Sequence, residues 1–194
     1  MVKSIKKKVA FYFQAHNLFP ALDICCGTGT QCCILKNIHP HVYGLDIDPK
    51  MVEYAARKYP NGAFVCADAV DIPFIDHSFK GVLISFSLHD KTSESREKIM
   101  KEAQRVLNAE GTIVFVDFEN PWNIRSKLGS VLSFMIERSA GREHFRNNRR
   151  FLRQGGLLAF IQRHRFVEVG RYNIEMGAIA IVLAKPRKRL NQMG

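Results

Sequence analysis

Apolar runs that alternate with helix-period segments constrain this chain most. ALDIC (21–25), HVYGLDID (41–48), AFVCAD (63–68), KGVLISFS (80–87) and TIVFVDFE (112–119) read as strands. KGVLISFS is nearly continuous in apolar residues, as a parallel strand covered on both faces must be. Helical patterns lie between these runs. The first spans about 3–17 and the second about 29–37. PKMVEYAARKY then places Met51, Tyr54, Ala55 and Lys58 on one helical face. SESREKIMKEAQRVLNAEG (93–111) is expected to end at Asn108 and Gly111. ENPWN breaks the pattern, and two helical stretches are expected over about 123–139 and 145–164. RFVEVGRYNI and GAIAIVLAKP read as two strands with a very short connection, a hairpin. This alternation, followed by a hairpin, predicts a three-layer α/β fold with a mostly parallel sheet.

Ligands in such folds sit beyond the carboxyl ends of the strands, near the switch in strand order. Residues 23–30, 46–48, 68–69 and 86–90 occupy those ends. In LDICCGTGT (22–30), Gly27 and Gly29 permit positive φ and close approach of backbone to a ligand. The helix that follows offers unpaired N–H groups at its start. Asp23, ahead of the glycines, would repel a pyrophosphate and attract an amino group or a sulfonium. Cys32 stands where a dinucleotide G-x-G-x-x-G has its third glycine, which also weighs against NAD. Asp46 ends the second strand, nineteen residues after Gly27, where an acid accepts hydrogen bonds from ribose hydroxyls. Asp48 reads as a helix cap. Asp68 follows the third strand and can accept from an exocyclic amine. Each acid alone would be an ordinary cap or turn residue. Three of them, in register at three successive strand ends, point to a nucleoside site.

LDICCGTGT, GLDIDPKMVEYA, CADAVDIPFIDHSF and EAQRVLNAEGTIVFVDF, in this order, resemble class I S-adenosylmethionine-dependent methyltransferases. The resemblance covers roughly residues 20–120. Within that superfamily DFENP and the ending MGAIAIVLAKP are most similar to the ubiquinone/menaquinone C-methyltransferase-like group. The resemblance implies a Rossmann-like, seven-stranded sheet with an antiparallel strand in its C-terminal hairpin. It implies S-adenosyl-L-methionine as cofactor and S-adenosyl-L-homocysteine as product. Asp23, Cys25, Gly27 and Gly29 would surround the methionine part, and Asp46 the ribose. Ile47 and Met51 would flank the adenine, Asp68 would accept from its amine, and the Ala69 N–H would meet the ring. Ser85 and His89 would line the methyl-transfer end. By its own chemistry His89 could be the catalytic base that takes a proton from a phenol or enol, or could merely close the cofactor pocket, and Asp90 and Glu119 are the other base candidates. Three departures stand out. Cys25 replaces the motif's first glycine, so ordinary strand geometry is expected there. Lys80 follows Phe79 where the family often has an acid. AEG precedes the fifth strand in place of PGG.

Composition bounds the rest. With 194 residues, 46% hydrophobic and 24% charged, the chain is expected to be one soluble domain. Its parts would be an N-terminal helix (1–19), a cofactor core (20–120), a substrate-covering helical segment (121–165), a strand hairpin (166–185) and a basic tail (186–194). No apolar run reaches the ~18 residues of a spanning helix, and the basic, interrupted N-terminus does not read as a signal peptide. A cytoplasmic setting is therefore expected. Five cysteines, four of them at Cys25, Cys26, Cys32 and Cys33, fit a reducing compartment better than a disulfide framework. Adjacent cysteines point apart, which disfavours a metal site.

The net charge of +11 is concentrated at both ends and between Trp122 and Arg165, where ten Lys or Arg face two acids. That segment includes Arg142, Arg146, Arg149, Arg150 and Arg153 beside an apolar face. It fits an apolar or acidic small-molecule acceptor, an RNA backbone, or a merely solvated surface. The first expectation is methyl transfer to a small organic acceptor, quinone-like or aromatic. RNA methylation and non-enzymatic cofactor binding are the alternatives. There is no NPPY-like tetrad and no Pro-Cys nucleophile to favour nucleic-acid bases. Oligomeric state is not written in the sequence.

Overall fold

A computed structural model describes residues 2–119, 142–174 and 178–187. The chain runs α1 (Val2–Ala15), β1 (Ala21–Ile24), α2 (Thr30–Lys36), β2 (Val42–Asp46), α3 (Pro49–Lys58), β3 (Ala63–Cys66) and β4 (Phe79–Ser85). It continues through α4 (Ser93–Val106), β5 (Leu107–Phe118), α5 (Arg142–Arg153), α6 (Gly156–Arg163), β6 (Phe166–Ile174) and β7 (Ile179–Pro186). The strands form one sheet in the order β3-β2-β1-β4-β5-β7-β6. Pairs among β1 to β5 are parallel, while β7 runs antiparallel to both β5 and β6. The strand order reverses between β1 and β4, which places the switch point there.

Strand alternation assigns the apolar residues to two cores. Val82, Ile84, Ile113 and Phe115 face α4 and α6, meeting Ile99, Met100, Ala103, Leu157 and Phe160. Leu83, Val114 and Val116 face the other way, onto Ile5, Val9 and Phe13 of α1 and Leu35 of α2. Both faces of the central strands are dry, which is why KGVLISFS and TIVFVDFE read as unbroken apolar runs.

Two boundaries differ from expectation. α4 ends at Val106, and its C-cap Leu107 already pairs with Phe79 as part of β5. The Asn108–Gly111 turn is real but lies inside the strand as an irregularity, with the Glu110 N–H donating to Asn108 Oδ1 at 3.2 Å. The single helix expected over 145–164 is two helices, α5 and α6. Gly155 and Gly156 have φ of +102° and +65°, conformations that end a right-handed helix. The helix expected over 123–139 lies outside the described residues.

Candidate active site

The chain turns at once after β1. Cys25, Gly27 and Gly29 adopt φ of +58°, +52° and +69°. The expectation of strand geometry at Cys25 is therefore wrong. The turn needs a left-handed residue at its first position, and here a cysteine holds a conformation that costs an L-residue about 1–2 kcal/mol. Phe86, just after the neighbouring β4, does the same at φ +52°, its N–H donating to the Val116 carbonyl at 2.7 Å. Two strained non-glycine residues thus flank the switch point, the pattern that backbone strain shows at functional sites.

The glycines do different work. A Cβ on Gly29 would stand 2.7 Å from the Phe64 ring and 2.8 Å from the Ala55 Cβ, so α2 starts hard against β3 and α3. A Cβ on Gly27 would meet nothing within 4 Å, so that residue faces open space. The Gly27 N–H donates to Asp46 Oδ2 at 2.7 Å, and the Asp48 N–H donates to Asp46 Oδ1 at 3.0 Å. Asp46 thereby ties the β1 turn to the end of β2. Asp48 caps α3, accepting from the Lys50 N–H at 2.9 Å.

Asp23 is 2% exposed, and its Oδ2 has no hydrogen-bond partner. Burial pushes its carboxyl up to about 7, against the pull of Lys6 and with the push of Asp46. An orphaned buried carboxylate oxygen, a second acid and an open-faced glycine fit a ligand that brings positive charge and hydroxyl donors.

Cys25, Ile47, Asp68 and Ala69 come together in the lining of a cavity of 260 Å³. Ile47 is 60% exposed, an apolar side chain left uncovered beside it. Asp68 Oδ1 accepts from the Val70 N–H at 3.1 Å. Asp23, Gly27, Gly29, Asp46, Met51, Ser85 and His89 are not among the residues that line this cavity. Met51 lies on α3, and half-buried Ser85 is the last residue of β4. The far wall carries Lys91 and Lys98, which the sequence reading did not single out. Lys91 Nζ donates to Asp90 Oδ1 at 2.8 Å. Burial works against its charge, but Asp90, Cys25 and Asp46 outweigh it and hold the pKa above the usual lysine value. Burial also raises the thiols, Cys25 to about 11 and Cys32 to about 12. Among the described residues no group of three or more side chains gathers in a metal-ligating arrangement.

His89 is buried beside a residue that the sequence reading missed. Its Nδ1 lies 2.7 Å from Oδ1 of Asp117, which is fully buried in β5. Asp117 also accepts from the N–H groups of Leu88, His89 and Phe118, at 3.0, 3.3 and 2.8 Å. A carboxylate so surrounded holds the ring proton on Nδ1 and makes Nε2 the basic nitrogen. The Phe118 and His144 rings meet the His89 ring edge-on, with centroids at 4.7 and 5.0 Å. The rule that singled out Asp23, Asp46 and Asp68, an acid near a strand's carboxyl end, also reaches Asp117. Glu119, the base candidate nearby, is buried and accepts from Arg171 Nη1 of β6 at 3.1 Å.

Arg96, 1% exposed in α4, joins this region to α5. It donates to the Lys91 carbonyl from Nε and Nη2, at 3.1 and 2.9 Å, and to Gln154 Oε1 from Nη1, at 3.1 Å. Asn147 Nδ2 donates to the Asp90 carbonyl at 2.8 Å, so α5 is fastened along the loop that carries His89.

Residues 22–115 match the family described as a methyltransferase domain. A demethylmenaquinone methyltransferase of Thermotoga maritima is 31% identical over 134 residues, 68% of this chain and 57% of the relative. Residues 22–115 are a methyltransferase domain, and they resemble the class I S-adenosylmethionine-dependent enzymes. A second demethylmenaquinone methyltransferase, from Clavibacter sepedonicus, is 38% identical over 103 residues, 52% of this chain and 41% of that one. The chain thus spans about half the length of the curated relatives it matches. Magnesium protoporphyrin IX methyltransferase from Synechocystis, solved with bound S-adenosylhomocysteine, superposes with a TM-score of 0.66. That likeness covers 94% of this chain and 82% of the other at 14% identity, and it is one of fold. Among the described residues no helix is long and apolar enough to cross a membrane.

Proposed function

We propose that this chain binds S-adenosyl-L-methionine beyond the carboxyl ends of β1 to β3 and transfers its methyl group to a small organic acceptor. The observation that carries this reading is the three-acid constellation. Asp23, orphaned and buried, answers the cationic methionine end. Asp46 accepts from the ribose hydroxyls, and Asp68 accepts from the adenine amine. The Gly27 side of the turn leaves the room that the ligand needs, while Cys25, Ile47, Met51 and Ala69 pack around it and Ser85 stands toward the transfer end.

When bound, the cofactor supplies a methyl carbon activated by an adjacent sulfonium. The protein's own contribution is to align the partners, exclude water and handle one proton. His89 takes that proton at Nε2 as the acceptor's oxygen or carbon attacks, and Asp117 fixes the ring and stabilises its charged form. Within the 121–165 segment α5 covers the acceptor, brought against the His89 loop through His144 and Asn147. The names of the relatives, together with a base placed to ionise a phenol or enol, favour a quinone-like or aromatic acceptor.

The test is transfer of radiolabelled methyl to a panel of hydroquinones, naphthols and other phenols. Turnover with at least one of them is expected, and His89→Ala is expected to lower kcat by about 10²-fold or more. Asp117→Asn is expected to lower kcat with little change in cofactor affinity. Binding of the cofactor with no transfer across the panel would instead favour a non-enzymatic binding protein.

A further inference from the structure

A second site lies on α5, on the side turned away from His89. His144, Asn147 and Phe151 face inward, and Arg146, Arg149, Arg150 and Arg153 line an open groove with Phe145 and Gln154. The spacing i, i+3, i+4, i+7 puts four guanidinium groups on one helical face, spread over about 10 Å of axis. Among the described residues no carboxylate lines the groove and none of the four arginines is in an ion pair.

The surplus of charge continues beneath the surface. Gln154, at the groove's end, accepts from buried Arg96 through Oε1, and its carbonyl accepts from Arg163 Nη1 at 3.3 Å. The direct partners of Arg96 are all neutral oxygens, of Lys91, Asn147 and Gln154. Burial lowers its pKa; Asp117 and, more weakly, Asp90 pull the other way, while Arg163 and Arg150 lower it further. Six guanidinium groups therefore share one region in which, among the described residues, none forms a salt bridge, and Asp117 and Asp90 act on Arg96 only through space. Natural surfaces intersperse charges of both signs, so this concentration asks for a counter-anion.

We propose that the α5 groove binds a small ligand carrying two or three linked phosphates. The guanidinium fork matches phosphate oxygens in pairs, which a lysine cluster would not do. The groove encloses about 500 Å³, within the range of small-ligand sites. Phe145, with the Arg149 guanidinium 6.0 Å from its ring centroid, adds an apolar patch to the lining. A compact concave site of this length suits a short polyphosphate better than an extended RNA strand. Occupancy would draw Arg150 and Arg153 toward Gln154 and so brace α5 over the loop that carries His89.

The probe is inorganic tripolyphosphate, titrated calorimetrically into the whole chain at low and at moderate salt. Saturable one-to-one binding is expected, weakened at least tenfold in Arg149→Gln/Arg153→Gln and unchanged in Lys6→Gln/Lys7→Gln. Binding that the N-terminal pair weakens equally would overturn the site in favour of diffuse attraction. The absence of saturable binding at low salt would overturn it as well. Anionic phospholipid vesicles and a single-stranded RNA oligonucleotide form the other arms. If either binds through the same arginines and tripolyphosphate does not compete, the ligand is an extended polyanion and the small-ligand proposal fails. Titration of S-adenosylmethionine on the same samples reports separately on the transferase site and is expected to be unaffected by the α5 substitutions.

Discussion

Asp23 carries a burial cost that its proposed role in cofactor binding would explain. Its carboxyl, pushed up to about 7 by burial, holds its proton more tightly in the native chain than in the unfolded one, where the value is about 3.9. Stability contributed through this group therefore falls as pH rises from about 4 to 7, by up to about 1.4 kcal/mol per unit, and the full cost remains above 7. Urea unfolding at pH 5 and pH 8 checks this. Asp23→Asn should flatten the fall and be the more stable protein at pH 8. The same substitution should weaken S-adenosylmethionine, because the ionised carboxylate is what meets the cationic end. Wild-type affinity should accordingly improve between pH 6 and pH 8. Gly29 makes the steric counterpart. A side chain there collides with Phe64 and Ala55 at positive φ, so Gly29→Ala should cost about 1–3 kcal/mol in the same unfolding assay.

At the scale of elements, the question is what holds the helices over the sheet's carboxyl edge. Arg96 links α4, the 88–92 loop and α5 through hydrogen bonds to Lys91, Gln154 and Asn147 and lies over the Phe151 ring at 4.9 Å. Arg96→Ala should cost about 3 kcal/mol, since it strands several buried acceptors and removes packing at once. Circular dichroism during denaturation checks that loss, and hydrogen exchange should rise first in α5. The periodicities that revealed β1 to β5 and α1 to α4 were legible because burial on two faces leaves unbroken apolar runs. The boundary at Val106 was not, because Asn108 and Gly111 make a turn inside β5 that looks like a helix end. Cys25 was misread for a related reason. Its φ is dictated by the turn that brings Gly27 to Asp46, and no local preference of cysteine announces it. Asp117 was overlooked although it is an acid at a strand end like the others, because its partner His89 lies 28 residues earlier and only the β4–β5 pairing brings them together. Lys91 and Lys98 carry no local signal of their own; the loop before α4 and α4 itself bring them to the cavity wall.

At the scale of the molecule, a doubly covered, mostly parallel sheet places the groups of the proposed transferase site along one edge, apart from the α5 groove. Strands β3, β2 and β1 contribute the proposed nucleoside end, and β4 and β5 position the His89–Asp117 dyad, with the strained turns at Cys25 and Phe86 between them. Occupation of that edge should stabilise the whole fold by linkage. At a hundredfold excess over Kd, S-adenosylhomocysteine should add about 2.7 kcal/mol and raise Tm by about 5–10 °C for a chain of this size. NAD should leave Tm unchanged. The central claim is that the three strand-end acids form a site for S-adenosylmethionine, and calorimetric titration of that cofactor into wild type and Asp46→Ala tests it most directly. The account predicts one-to-one binding to wild type and at least tenfold weaker binding to the variant, a loss of about 1.4 kcal/mol or more. Equal affinities in two folded proteins, or tight binding of NAD in place of S-adenosylmethionine, would contradict it.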